Sequence, residues 1–235
     1  MPAARVETGQ DITITAIVED AETPLDRLVY KWTASAGTIT GTGARATWRM
    51  PAGITKGVDV TIALTVVDTY DAIVGNQVVK RDFTVTATST AFRVHDSVAE
   101  QKELARRFLI DLFGNSAVAP LDCLVDFSEI GRCRKGKQDE LADIERHRDD
   151  YVVLSKRIIS QAVQSTGPDE GIVRSVSEFI DRRADTGAVG TTCGVFVTTT
   201  IYDAGRWWLC ESTLDRDVRP DCNTGGVSRI WGLRG

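Results

Sequence analysis

The sequence predicts two parts, an antiparallel β-sandwich over residues 1–93 and an α+β domain over residues 94–235. From Val6 to Thr88, apolar residues alternate with polar ones, as in strands that bury one face. At Ser97 the pattern changes to an apolar stripe at helical spacing. After Tyr151 the period of two returns in long runs. A length of 235 residues allows each part its own core.

The first part consists of short strands joined by turns. Runs such as "DITITAIVED", "LVYKWTAS" and "VDVTIALTVVD" alternate apolar residues with polar residues or threonine. Between them, "AETPLD" and "PAGITKG" supply the Gly, Pro and Asp that turns require. Strands at this spacing are typical of an antiparallel sandwich.

The second part begins with predicted helices. The segment 97–100, "SVAE", has the form of a capping box, so a helix should begin at Ser97. Leu104, Phe108 and Leu112 follow on one helical face, and Gly114 is placed to end the helix. "PLDCLVDFSEI" and "KQDELADIERHRDDY" predict two further helices.

Four strands follow the helices. They are "YVVLSKRIISQAVQS", "GIVRSVSEFIDRRA", "TCGVFVTTTIY" and "RWWLCESTL". Gly and Asp at each break are typical of hairpins, so the strands should be antiparallel and adjacent in sequence order. Helices followed by strands indicate an α+β domain in which a curved sheet covers the helices.

The first part resembles the immunoglobulin-like sandwiches of the polycystic kidney disease (PKD) type. The resemblance covers roughly residues 5 to 90 and rests on Trp32, a glycine-bearing stretch, Trp48 and "IALTVVD" ending at Asp68. The "FGDG" stretch that usually follows the tryptophan is absent. The resemblance implies a spacer or adhesive module of exported proteins.

The second part resembles the nuclear transport factor 2-like cone fold, which includes SnoaL-like cyclases and many bacterial envelope domains. "CRKGKQDELADIERHRDDYVVLS" and "GRWWLCES" are the stretches that carry the resemblance, over about residues 97 to 215. Because this fold hosts enzymes, binders and assembly modules, the resemblance implies a fold more than a function.

Composition excludes several classes of partner. A net charge of -5 without a dominant Lys and Arg cluster argues against nucleic-acid binding. No run of eighteen apolar residues is present, so we expect no transmembrane segment here. The first four residues lack the apolar stretch of a signal peptide, and we expect the signal segment to be missing from the sequence given.

Five cysteines lie in the second part, and none forms a CxxC pair, so we expect no metal site. In an exported protein they allow two disulfides and one free thiol, in several arrangements. Closeness along the chain favours Cys123 with Cys133 and Cys210 with Cys222. The alternative is a cytosolic protein in which all five thiols, including Cys193, stay reduced.

The pair Trp207-Trp208 raises the question of a ligand platform. If "DAG" (203–205) forms the turn, Thr200 lies opposite Trp208 and Tyr202 lies opposite Arg206. Successive side chains point to opposite faces, so the two tryptophans cannot form one platform. We expect Trp207 to be structural. The predicted binding residues are Trp208, Tyr202, Thr200 and Arg157.

Signs of catalysis are few, and we expect no catalytic residues and no cofactor. "GRCRKGKQ" has the spacing of a phosphate loop, but Gln138 replaces its Ser or Thr. Asp143 and His147, one helical turn apart, have the spacing of a base and its orienting residue in an acid–base enzyme, but we expect an exposed i,i+4 pair. Asp126 is the acidic residue that we most expect to be buried. The strand positions that would line the mouth of the cone fold include Ser177, Glu178 and Thr198.

These observations predict a non-enzymatic, exported cell-envelope or surface protein. A sandwich spacer would present a cone-fold domain that binds a protein partner or self-associates. The alternative is a cone-fold enzyme or carrier acting on a small apolar ligand, and a third reading makes both domains assembly parts of a surface fibre or secretion machine. A cavity of roughly 300 Å³ or more in the second part would favour ligand binding.

Overall fold

The computed structural model describes residues 5–129, 133, 136–223 and 227–229. The protein is mostly β, with several separate sheets. The chain divides into two compact units, Met1–Asp96 and Ser97–Gly235. The division falls directly before the predicted helix start, because the last strand of the first unit continues to His95.

The first unit contains short strands and one long hairpin. In chain order these are β1 (Val6–Glu7), β2 (Asp11–Thr15), β3 (Val29–Ala34), β4 (Thr38–Thr40), β5 (Arg45–Arg49), β6 (Val58–Val60), β7 (Ile62–Val74), β8 (Gln77–Thr88) and β9 (Phe92–His95). They form three sheets with the strand orders β2-β5-β4, β3-β7-β8 and β1-β9-β6.

Trp48 on β5 is the centre of the first core. Its ring is fully buried, its Nε1 donates to the Ala36 carbonyl oxygen at 2.9 Å, and it meets Phe92 edge-on at 5.5 Å between ring centroids. Gly37 has φ +82°, and a Cβ there would lie 2.7 Å from the Trp48 Nε1, so this turn requires glycine. The buried cluster comprises Trp48, Met50, Val60, Ile62 and Val94.

The second unit begins with α1 (Ser97–Arg106), which starts at the predicted residue and continues as a π-helical turn, Arg107–Leu112. A 3-10 helix, Pro120–Leu124, and α2 (Lys137–Asp150) follow. The predicted helix over "PLDCLVDFSEI" is wrong beyond Leu124. There the backbone forms a bridge with a strand, Phe127 opposite Leu209, and its hydrogen bonds are not available to a helix.

A four-stranded sheet forms the rest of the second unit. Its strands are β10 (Tyr151–Gly167), β11 (Glu170–Arg183), β12 (Val189–Asp203) and β13 (Arg206–Asp215). They are antiparallel and adjacent in sequence order, which confirms the predicted hairpins. A short pair, β14 (Val218–Pro220) and β15 (Val227–Arg229), follows.

The β12–β13 hairpin differs from its predicted register by one residue. Asp203 pairs with Arg206, and Tyr202 pairs with Trp207. The turn therefore consists of two residues, Ala204 and Gly205, both at positive φ (49° and 80°). That geometry matches the twist of a two-residue hairpin, which explains why the predicted three-residue turn is wrong.

The two tryptophans lie on opposite faces of β13. Trp207 is 3% exposed, and its Nε1 donates to the Ser97 Oγ at 3.0 Å. Trp208 is half-buried on the other face, and the Arg206 guanidinium lies 3.6 Å from its ring centroid. The helix-facing side is thus closed by one tryptophan, while the other makes an exposed cation–π contact.

The outer edge of β13 is covered by the segment that follows the 3-10 helix. The Leu209 N–H donates to the Asp126 carbonyl oxygen at 2.8 Å, and the Ser128 N–H donates to the Leu209 carbonyl oxygen at 2.7 Å. Cys133 forms a disulfide bond with Cys210, which follows Leu209 on β13. These contacts protect an edge that would otherwise expose ladder groups.

The disulfides are Cys133–Cys210 and Cys193–Cys222, so both predicted pairings are wrong. Cys123, a predicted disulfide residue, is free and fully buried. It belongs to the core cluster of Phe108, Leu109, Cys123, Leu124, Phe127, Ile144 and Leu209. Closeness along the chain did not predict the pairing, because Cys133 and Cys210 are far apart in sequence and meet at the edge of β13.

Replacing each tryptophan by alanine should have unequal effects. Trp207→Ala should lower the free energy of unfolding of the second unit by about 3–5 kcal/mol, because it leaves a cavity under α1. Trp208→Ala should cost about 1 kcal/mol, the scale of an exposed cation–π contact. Urea unfolding followed by circular dichroism measures both, and equal losses would contradict the assignment of faces.

Peptide mapping without reduction should recover two cross-links, Cys133–Cys210 and Cys193–Cys222. Cys123 should react with iodoacetamide only after denaturation. The sequence separations are 77 and 29 residues, so in a chain-entropy account the bonds stabilise the fold by about 4.5 and 3.6 kcal/mol. Replacing both cysteines of each pair by serine tests this order, and a larger loss for the Cys193 pair would oppose it.

Candidate functional site

A cleft of about 630 Å³ opens in the second unit between α2, the π-helical turn and the sheet. We call it the α2 cleft. Strand alternation builds its floor, since Phe179 and Asp181 lie on the helix-facing side of β11 and Thr192 and Phe196 occupy the same side of β12. The principal lining residues are Phe108, Phe113, Glu140, Asp143, His147, Tyr151, Phe179, Asp181, Thr192, Phe196, Ser212 and Leu214.

Aromatic rings line much of the cleft. Phe108 and Phe113 lie 5.7 Å apart between centroids, and Phe179 and Phe196 lie 5.2 Å apart. Phe108 and Phe179 are each 3% exposed and therefore fixed by packing. These two rings support Phe113 and Phe196, which are partly exposed and present apolar surface to a ligand.

His147, near the end of α2, lies between two of these rings. Its centroid is 4.6 Å from Phe113 and 5.4 Å from Tyr151, and it is stacked on Tyr151. Tyr151 is the first residue of β10 and directly follows α2, so the helix end sets the stack. The interpretation of Asp143 and His147 as an exposed pair is therefore wrong for His147.

Burial changes the electrostatics of the cleft. It lowers the pKa of His147, while the charges of Asp181 and Asp150 act in the opposite direction. Burial also raises the pKa of Asp181, partly opposed by His147. The imidazole is therefore neutral at neutral pH, with Asp181 as its principal acidic neighbour.

Two buried polar atoms of the cleft have no hydrogen-bond partner among the described protein groups. They are the Nε2 of His147 and one carboxylate oxygen, Oδ1, of Asp181. A buried polar atom left without a partner costs about 1–3 kcal/mol. A ligand hydroxyl or amide that reached either atom would recover that free energy.

The rim of the cleft carries charged pairs. Arg146 Nη1 lies 3.0 Å from Asp143 Oδ1 on the exposed side of α2. Glu140 is buried, and its Oε1 accepts a hydrogen bond from the Ser212 N–H at 3.3 Å. This bond connects α2 to β13. The cleft thus combines aromatic walls with charged side chains at its rim, and the Nε2 of His147 is one polar atom available to a ligand.

The predicted binding residues do not meet at one place. Thr200 is buried on the helix-facing side, where its Oγ1 donates to the Gln101 Oε1 at 2.6 Å. Tyr202 shares that side and meets Trp207 at 5.5 Å. Trp208 and Arg157 lie on the other face, on the two edge strands. Three strand spacings, about 14 Å, separate those edges.

The remaining residues that the sequence suggested as site candidates are buried or form ion pairs within the protein. Asp126 is 6% exposed and forms ion pairs with Arg107 at 3.4 Å and Arg206 at 3.1 Å, at the edge of the sheet. Of the potential mouth positions, Ser177 and Thr198 are fully buried, and Glu178 pairs with Arg157. Half of "GRCRKGKQ" lies outside the described residues, and its last two residues, Lys137 and Gln138, begin α2. Within the described part of the chain, no three His, Cys, Asp or Glu side chains could hold a metal ion.

Sequence reasoning did not find the α2 cleft. The available signals were Phe179 and Asp181 two residues apart on a strand, and His147 and Tyr151 four residues apart across a helix end. Each signal is ordinary alone, and only the packing of α2 on the sheet brings them together.

Comparison with known proteins gives little for this chain. No family model and no curated protein matches it. Among solved structures, the intermembrane space region of chloroplast protein ARC6 is 14% identical over 48% of this chain and 86% of that chain, with a TM-score of 0.28. A TM-score this low supports no inference about fold or function.

His147 should titrate below its ordinary pKa of 6.5. Because the unfolded state then binds the proton first, the free energy of unfolding should fall as pH drops below about 6.5. His147→Gln should remove this part of the pH dependence. Proton NMR follows the imidazole signals, and only two histidines are present, so the variant identifies His147. A midpoint at or above 6.5 would contradict the burial argument.

Proposed function

We propose that this protein is an exported, non-enzymatic cell-envelope or surface protein whose second unit binds a small ligand in the α2 cleft. One observation carries the proposal: the cleft has aromatic walls, a volume of about 630 Å³, and two buried polar atoms without partners. Ligand sites usually enclose about 300–1,000 Å³ and combine apolar walls with a few polar groups.

In this proposal the first unit is an immunoglobulin-like spacer and the second an NTF2-like cone-fold domain. Facing β-strands around a buried tryptophan support the first assignment. A four-stranded antiparallel sheet with α1 and α2 against one side supports the second. The cleft then corresponds to the mouth of the cone.

Export is supported by the cysteines. Two disulfides are typical of extracellular or periplasmic proteins. None of the helices in the described ranges is long and apolar enough to cross a membrane. An envelope location is therefore part of the proposal.

A second candidate is an enzyme or carrier that uses the same cleft. The neutral His147 beside Asp181 favours it, since a neutral imidazole with an unpartnered Nε2 is able to accept a proton from a bound substrate. Native mass spectrometry of protein purified from its source separates the two. A ligand retained unchanged supports the binding protein, whereas a mixture of substrate and product supports the enzyme.

The binding proposal predicts that 2-naphthol, a planar apolar molecule with one hydroxyl, shifts the His147 imidazole signal in NMR titrations. Thr192→Trp should block the cleft and weaken binding at least about tenfold, because an indole fills its floor. Thr191→Trp is the matched control, since the neighbouring side chain points to the opposite face. Naphthalene, which lacks the hydroxyl, should bind more weakly.

The outcomes separate clearly. A shift that Thr192→Trp abolishes and Thr191→Trp leaves intact supports the proposal. No shift of the His147 signal, or equal binding by both variants, would refute the α2 cleft as the ligand site.

A further inference from the structure

The first unit contains an apolar groove of about 800 Å³ between β2 and β8, which we call the β2–β8 groove. Ile12 and Ile14 contribute to one wall, and Phe83, Val85 and Ala87 to the other. Trp32 and Trp48 also line it. The groove lies within the sandwich and is separate from the α2 cleft.

Both strands that border the groove are edge strands. Among the described residues, β2 pairs only with β5, and β8 pairs only with β7. On one side of each strand, the backbone N–H and C=O groups therefore form no ladder with another described strand. Such an edge is a template for an added strand.

The exposure of β8 indicates where a strand is lacking. Phe83 is 62% exposed and Val85 53% exposed, although both point to the inner side of their sheet and line the groove. On the paired strand β7, Leu64 is only 8% exposed. β8 thus lies beyond the edge of the facing sheet that contains β2, and no described strand packs on its inner side.

The spacing of the lining residues specifies the shape of an occupant. Ile12 and Ile14 are two residues apart, as are Phe83 and Val85. An extended segment with an apolar side chain at every second residue matches this repeat. A helix or a globular surface does not.

The groove also has a charge preference. Glu19, Asp20 and Asp68 line it, and no Lys or Arg in the described part of the chain does. Asp68 pairs with Phe83 across β7 and β8, and its buried Oδ1 has no hydrogen-bond partner among the described groups. A Lys or Arg of the occupant would satisfy that oxygen.

We propose that the β2–β8 groove is a strand-acceptor site for a partner polypeptide. The partner's segment is extended, pairs with the free edge of β2, and covers Phe83 and Val85 with alternate apolar side chains. A Lys or Arg of the segment faces Asp68. Main-chain hydrogen bonds supply affinity and the side-chain repeat supplies specificity. This inference does not depend on the proposed ligand of the α2 cleft.

The test uses the full chain and labelled ten-residue peptides, with binding followed by fluorescence anisotropy. Two peptides alternate Val or Ile with Thr and carry one Lys, at the first or the last position, because the strand direction is not assumed. A control peptide has the same composition with its apolar residues contiguous. We expect at least one alternating peptide to bind about tenfold more tightly than the control.

Variants of the groove sharpen the test. Phe83→Lys should weaken binding about tenfold or more, because it places a charge where the segment packs. Val78→Lys is the matched control, since Val78 lies on the other face of β8 and is 67% exposed. Asp68→Asn should weaken binding of the Lys peptide and leave a peptide with Gln in its place unchanged.

Three results would overturn the proposal. They are no preference for the alternating peptides, equal binding by Phe83→Lys and Val78→Lys, or a dimer abolished by Phe83→Lys without any peptide binding. The last result would assign the groove to a second copy of the chain. Because Phe83 lies in the first unit, the 2-naphthol titration of His147 reports on the α2 cleft separately.

Discussion

The alternation of side chains along the strands is the constraint on which both sites depend. It places Phe179 and Asp181 together on the helix-facing side of β11, where α2 completes a cleft. On β8 it places Phe83 and Val85 on a side that no strand among the described residues covers. One geometric rule thus produces a lined cleft in one unit and an open groove in the other.

The sequence predicted what depends on local pattern and missed what depends on distant contacts. Strand periodicity and the helix start at Ser97 are confirmed because both are local signals. The hairpin register failed because Ala204, an ordinary residue, takes positive φ. The cleft was missed because His147 and Asp181 belong to separate elements, and no residue spacing links them.

Apolar packing in the second unit offsets the free-energy cost of the polar atoms that lack partners in the α2 cleft. Each such atom costs about 1–3 kcal/mol, whereas replacing a buried tryptophan such as Trp207 by alanine costs about 3–5 kcal/mol. The cleft lies against a buried cluster that includes Phe108 and Ile144. A site of this kind is stable without its ligand because rigid neighbours hold it open.

The free thiol of Cys123 bears on the stability of the two disulfides. In the folded protein its thiol is enclosed in the core, where burial raises its pKa and Arg148 Nη2 lies 3.2 Å away. A buried thiol of raised pKa forms little thiolate and attacks disulfides slowly. In an unfolded chain the same thiol is the cysteine nearest in sequence to Cys133, and closing the short loop between them costs the least entropy. The packing that encloses Cys123 therefore also protects the Cys133–Cys210 bond from exchange with the free thiol of the same chain.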